Sequence, residues 1–158
     1  MDLQAEIERV RAQEAALARA PFGAQRAWEL GVALREAALA RSASLSIEVR
    51  LSGHTVFLHA MPGTNPSNTD WVRRKRNTVE LLGRSSYAVG LQMALEQTSL
   101  ADKMGLPPRD YASHGGCLPL RDPTGTVWGC VGVSGLPQLQ DHELVVEVLG
   151  ALPVEPRA

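Results

Sequence analysis

The residues predict an α+β fold, an antiparallel sheet covered by helices. Two observations carry this: two segments alternate apolar and polar residues and close into hairpins, and five others repeat apolar residues every three to four positions. Hairpins impose antiparallel pairing, and helices with an apolar stripe must lay it on the sheet. The predicted order is helix, helix, hairpin, helix, helix, hairpin, helix.

The first helix, over residues 1–20, places Leu3, Ile7, Val10 and Leu17 on a spacing near 3.5 residues, with Glu14 in the remaining stripe position. So narrow a seam suits either a contact with a partner chain or a loosely docked terminal helix, and both readings stay open. Pro21-Phe22-Gly23 breaks it, and a second helix runs from about Ala24 to Arg41, with Ala27, Trp28, Gly31, Val32, Ala38 and Leu39 on one broad face. Leu45, Ile47, Val49 and Leu51 then alternate with polar residues, and a two-residue turn at Ser52-Gly53 or Gly53-His54 leads into Thr55–Ala60. Either turn puts Leu45, Ile47 and Val49 on one face with Val56, Leu58 and Ala60, and Phe57 and His59 on the other.

Met61 to Asn68 is dense in turn formers and reads as a loop, after which Asn68 or Thr69 caps a helix from Asp70 to Leu82, ended by Gly83. Ser85 or Ser86 caps the next, from Tyr87 to about Gln97, and Gly105-Leu106-Pro107-Pro108 forces extended chain. The second hairpin joins Gly116–Arg121 to Thr126–Val133, with Pro119 marking an edge or a bulge. Asp141 caps a last helix bearing Leu144, Val145, Val148, Leu149 and Leu152.

Composition bounds the function. A formal charge of -1, from 16 Lys+Arg against 17 Asp+Glu, gives no whole-molecule field to attract nucleic acid or an anionic membrane. Aromatic residues are 4% of the chain, too few for a stacking platform, and no apolar run approaches the length of a transmembrane helix. With two cysteines and neither a basic nor an apolar leader at the start, the expected compartment is the cytoplasm and the expected state of Cys117 and Cys130 is two buried thiols. Closing the second hairpin with Arg121 opposite Thr126 makes those cysteines direct cross-strand neighbours, and a disulfide between them would be strained.

Few residues point to chemistry. No two histidines sit at the spacing that puts metal ligands on one helical face. His54 reads as a solvated tip, His59 as a packing histidine on the second strand face, and His142 as the first residue of a helix. His114 precedes Gly115-Gly116, whose amides could face an anion, and its spacing to Cys117 is half a metal site without the other half. Arg73-Arg74-Lys75-Arg76 points around a whole helix and reads as a solvated surface. Lys75 differs: it lies three residues after Val72 and four before Val79, on the apolar stripe. Either its stem snorkels, or a half-buried ammonium meets a carboxylate or propionate. No nucleophile elbow, phosphate loop or catalytic carboxylate pair is present, so nothing demands an enzyme.

At Trp71-x-x-Arg74-Lys75-x-x-x-Val79, Arg84-Ser85-Ser86-Tyr87, Asp110-Tyr111-Ala112-x-His114-Gly115-Gly116, and Val131-Gly132-Val133-Ser134-Gly135-Leu136-Pro137-Gln138-x-x-Asp141-His142, the chain resembles the heme-degrading domain family, in the branch related to HbpS and GlcG. The resemblance covers roughly residues 20 to 152. It implies a profilin-like α+β fold with a sheet of about five strands. It divides one domain, 1–158, into an N-terminal helix, a core at 21–152 and a tail at 153–158. It also implies a homo-oligomer and binding of heme or another small anion, with Arg74, Lys75, His114, Gly115 and Gly116 as the shared positions. The family's iron-ligating histidine comes early, whereas the first histidine here is His54. The leading expectation is a binding protein for a small anionic ligand. The alternatives are a scaffold with no small ligand, and a heme-degrading enzyme in which His59 or His114 replaces the missing ligand.

Overall fold

A computed structural model describes residues 1–154, so the tail read at 153–158 lies outside the described residues from 155 onward. The elements are α1 (Leu3–Ala16), α2 (Ala24–Ala40), β1 (Ser46–Leu51), β2 (His54–Ala60), α3 (Pro66–Leu82), α4 (Ser86–Leu95), α5 (Leu100–Met104), β3 (Cys117–Arg121), β4 (Val127–Ser134) and α6 (Gln138–Ala151). The class is α+β, and β1–β4 pairing joins the two hairpins into one antiparallel sheet of order β2-β1-β4-β3. Among the described residues four strands stand where the resemblance implied about five.

The two faces of the sheet differ in chemistry. On one, α2 and α6 cover the main core, in which Leu30, Leu34, Ile47, Val49, Leu120, Val131, Val133, Val145 and Leu149 are sealed from water. On the other, α3 lies over a polar surface: Ser46 meets Thr69, Glu48 pairs with Arg76, and Arg50 pairs with Glu80. Val72, Lys75, Thr78 and Val79 form the buried stripe of α3 against that surface.

Each hairpin contains a β-bulge, and both change what the sequence predicts. The first hairpin turns at Ser52 (φ 49°) and Gly53 (φ 78°), as one of the two expected turns, and pairs Leu51 with His54 and Arg50 with Thr55. The register then shifts, so that Val49 pairs with Phe57 and Ile47 with His59. One extra residue inverts every side chain beyond it. Phe57 and His59 therefore share the face of Ile47 and Val49, while Leu58 and Ala60 share that of Glu48 and Ser46, the reverse of the expectation. In the second hairpin Arg121 pairs with Val127 rather than Thr126, and a shift between Leu120 and Arg121 sets Pro119 opposite Cys130 and Cys117 opposite Gly132. The cysteines are thus diagonal neighbours, buried and free, in a cluster with Val79.

Helix starts differ from expectation for a common reason. Pro66 was counted with the loop formers, but at the first helical position its missing N–H costs nothing. Asn65 is the actual cap: its side chain accepts from Ser67 N, and Asn68 reaches back to Asn65 N. Likewise α6 begins at Gln138 behind Pro137, and Asp141, one turn in, accepts instead from Leu136 N at 3.0 Å. The short α5 between Ser99 and Gly105 was not anticipated.

The seam of α1 is used within the chain. Ile7 and Val10 pack on Tyr87, Ala88 and Leu91 of α4, burial worth roughly 1.5–3 kcal/mol for each side chain. Glu14, the polar member of the stripe, accepts from Ser85 N at 2.8 Å and so satisfies the chain at the start of α4. The loop after α1 closes α6: Arg19 donates to Leu149 O at 2.8 Å and Leu152 O at 3.1 Å, carbonyls at the C-terminal end of the helix.

Candidate functional site

The first turns of α3 and α6 come together beside the segment 114–116 and enclose an open pocket of about 280 Å³. Asn68, Trp71 and Lys75 of α3, His114 and Gly115 of the segment, Ser134 at the end of β4, and Gln138 and Asp141 of α6 line it. Two helix N-termini at one cleft favour negative charge there, through their unsatisfied amides and their dipoles.

Lys75 forms the floor. It is 3% exposed, and its Nζ donates to Val133 O at 2.8 Å, Gly115 O at 2.9 Å and Asp141 Oδ2 at 3.2 Å. The ammonium is fully buried rather than half-buried, it does not snorkel, and its three protons have three acceptors within the protein. Burial pushes the Lys75 amine below its ordinary range against the opposing pull of Asp141, and burial pushes the Asp141 carboxyl up against the opposing pull of Lys75. Gly116, at φ 134°, makes room for this arrangement: a Cβ there would stand 2.5 Å from Lys75 Nζ and 2.6 Å from Val133 O.

The walls end in hydrogen-bond donors. Gln138 Oε1 accepts from Gly115 N at 3.0 Å and Asn68 Oδ1 accepts from Asn65 N at 3.0 Å. Both partners are main-chain N–H groups, so both side-chain oxygens are committed and the NH2 groups are the open ends. The same bond removes the Gly115 amide from the anion contact expected of it. Above them the rings of Trp71 and His114 meet edge to face at 5.2 Å, and the Arg74 guanidinium stacks 4.2 Å from the Trp71 centroid while donating to Pro108 O. Burial, then Lys75 and Arg74, hold the His114 imidazole below its ordinary range.

Of the residues singled out in the sequence, Lys75, His114 and Gly115 line this pocket, with Arg74 on its rim ring and Gly116 under its floor. His59 does not join them. It faces the α2 side of the sheet through its pairing with Ile47, and its Nε2 is buried without a partner among the described residues. The rest of the basic run is engaged: Arg73 bonds Asp70 and Asp110, and Arg76 pairs with Glu48. Asn68, Gln138 and Asp141 were missed as pocket residues, because each read as a turn or cap; only the crossing of two helix starts gives them a shared role. Among the described residues no group of three or more His, Cys, Asp or Glu is placed to hold a metal ion.

Comparison with known proteins assigns the family. A family model described as haem degrading protein HbpS-like matches residues 22–150. This chain belongs to the HbpS-like family. Among curated relatives, a UPF0303 protein of Azotobacter vinelandii is 52% identical over 153 residues, covering 96% of this chain and 92% of that protein. A UPF0303 protein of Acidobacterium capsulatum is 49% identical over 152 residues, with the same coverage of 96% and 92%. Among solved structures, the Ybr137w protein superposes with a TM-score of 0.84 at 27% identity, covering 92% of this chain and 86% of that one. HbpS itself superposes at 0.66 with 20% identity, covering 84% and 89%, which shows a shared fold. No helix among the described residues is long and apolar enough to cross a membrane.

Proposed function

We propose that this HbpS-like chain binds a small carboxylate or comparable anion in the pocket between α3 and α6. The observation that carries the reading is the donor-terminated wall. Two amides at two helix N-termini give their oxygens to main-chain N–H groups, which leaves their NH2 groups to donate to a ligand, over a floor where Lys75 pairs with Asp141 and beside the Arg74 cation. At rest Lys75 acts by its charge, its three protons being taken by Gly115 O, Val133 O and Asp141. The Trp71 ring offers a flat apolar surface for the rest of the ligand.

The family's description raises heme, and the residues do not fit it. About 280 Å³ lies at the small end of ligand pockets, which run from ~300 to 1,000 Å³. The one imidazole that lines the pocket, His114, packs against Trp71 instead of facing an apolar slot. Self-assembly remains part of the proposal, supported by exposed Trp28 and Leu39 on α2 and Leu58 on β2. A cytoplasmic setting accords with two unpaired thiols.

Calorimetric titration with benzoate, pyruvate and inorganic phosphate tests the reading. Saturable binding is expected for at least one of them, lost in Trp71→Ala and in Gln138→Ala and retained in Arg73→Ala. Absence of binding to all three at millimolar concentration overturns it. So does a stoichiometric Soret shift with hemin that disappears in His114→Ala.

A further inference from the structure

We propose that Lys75 forms a reversible imine with a small 2-oxo carboxylate seated in this pocket, an inference that rests on the anion reading above. The chain carries 14 arginines but only two lysines. One, Lys103, is exposed and pairs with Glu96. The other is buried at the floor of the cleft between α3 and α6. An arginine could neutralise Asp141 equally well and with better geometry for a carboxylate. What lysine adds is an amine that becomes a nucleophile once it loses a proton.

The surroundings of Nζ suit that role. Two of its three acceptors are main-chain carbonyls, Gly115 O and Val133 O, which hold the two N–H groups of a neutral amine. The third is the Asp141 carboxylate at 3.2 Å, which lines the pocket and can take the proton that the amine must lose. Burial acts on both groups in the direction that moves the proton from Lys75 to Asp141. The charged and titratable neighbours of Nζ are Asp141 on α6, His114 on the adjoining segment and Cys117 on β3.

The step balances within the site. Transfer of one Lys75 proton to Asp141 frees the amine; its nitrogen attacks the keto carbon, forming the C–N bond, and the carbonyl π pair moves to oxygen, which takes that proton from Asp141. One amine proton then passes to that hydroxyl, and water leaves as the C=N bond forms. The products are a protonated imine, the Asp141 carboxylate and one water. The substrate's own carboxylate remains on the donor wall of Asn68 and Gln138, and no oxidant or reductant is consumed.

Pyruvate is the probe. The full chain is incubated with sodium pyruvate with and without cyanoborohydride, then measured by intact mass and by peptide mapping, while calorimetry follows reversible binding without reductant. The expected result is a single reduced adduct on Lys75, retained in full in Lys103→Arg and lost in Lys75→Arg. Because Lys75→Arg can disturb folding, the mapped site in the wild type and in Lys103→Arg decides. An adduct confined to Lys103 or the α-amino group overturns the imine. Saturable, Trp71-dependent pyruvate binding with no Lys75 adduct overturns it while leaving the anion site standing. Neither binding nor adduct overturns both.

Discussion

Asp141 and His142 are consecutive on α6 and look into two different interiors. Asp141 faces the pocket, where it meets the ammonium of Lys75. His142, completely buried, faces the α1 seam, where its Nε2 meets Gln13 Oε1 at 2.9 Å and its ring lies 4.9 Å from that of Tyr87. The pocket side retains a pair of opposite charges. The seam side holds its histidine neutral, with Nδ1 unpartnered among the described residues and burial lowering its pKa to about 4. At His142 the sealed interface meets the desolvation cost by giving up charge, and at Glu14 by giving the carboxylate Ser85 N and Arg84 as partners. A cleft that opens to water keeps charge, which is of use to a ligand.

The largest test of this contrast removes one member of the pair. Lys75→Met leaves a buried Asp141 alone and is expected to cost about 3–5 kcal/mol in urea unfolding, whereas Lys75→Met with Asp141→Leu should recover most of that loss. If the double variant is as unstable as the single, Lys75 and Asp141 do not act as a pair.

Next in size is the seam's pH response. A histidine near 4 when folded and 6.5 when unfolded binds more protons unfolded, so stability is full above about pH 6.5 and falls as pH drops toward 4. The loss approaches about 3 kcal/mol, and His142→Phe should flatten the slope in that window. The charged groups facing His142 include Glu6, Arg9 and Glu143, and the comparison with His142→Phe isolates the histidine's share of the slope.

A smaller effect belongs to the cap between α1 and α4. Glu14→Ala removes a buried charged acceptor from Ser85 N and should cost about 2 kcal/mol by thermal or urea unfolding without changing anion binding. Smallest is Arg73→Ala. That side chain is partly exposed and tied to Asp70 and Asp110 outside both interiors, and neither pocket nor seam should register its loss in binding or in the pH profile.

The same two regions show what could be read from residues alone. The period of α3 put Lys75 between Val72 and Val79 on a buried stripe, and the structure holds all three inward. The narrow stripe of α1 was equally visible, but its destination on α4 was not, because periodicity reports a face and never its partner. The strands were located to within a residue or so, yet their faces were inverted beyond Val56. A bulge leaves no mark in alternation, since the inserted residue is itself apolar. Asp141 was recognised as a helix-start residue, and the ion pair it forms lay beyond reach because it joins residues from two helices brought together only by the β1–β4 pairing.

Gly116 ties the floor of the pocket to the strand that follows it. The volume its missing methyl vacates is the volume the Lys75 amine occupies, so positions 75 and 116 form a lock that neither residue reveals alone. A chain of this fold with alanine at 116 has no seat for a lysine at 75. It would have to discard the ammonium and, with it, the reason for an acid at 141.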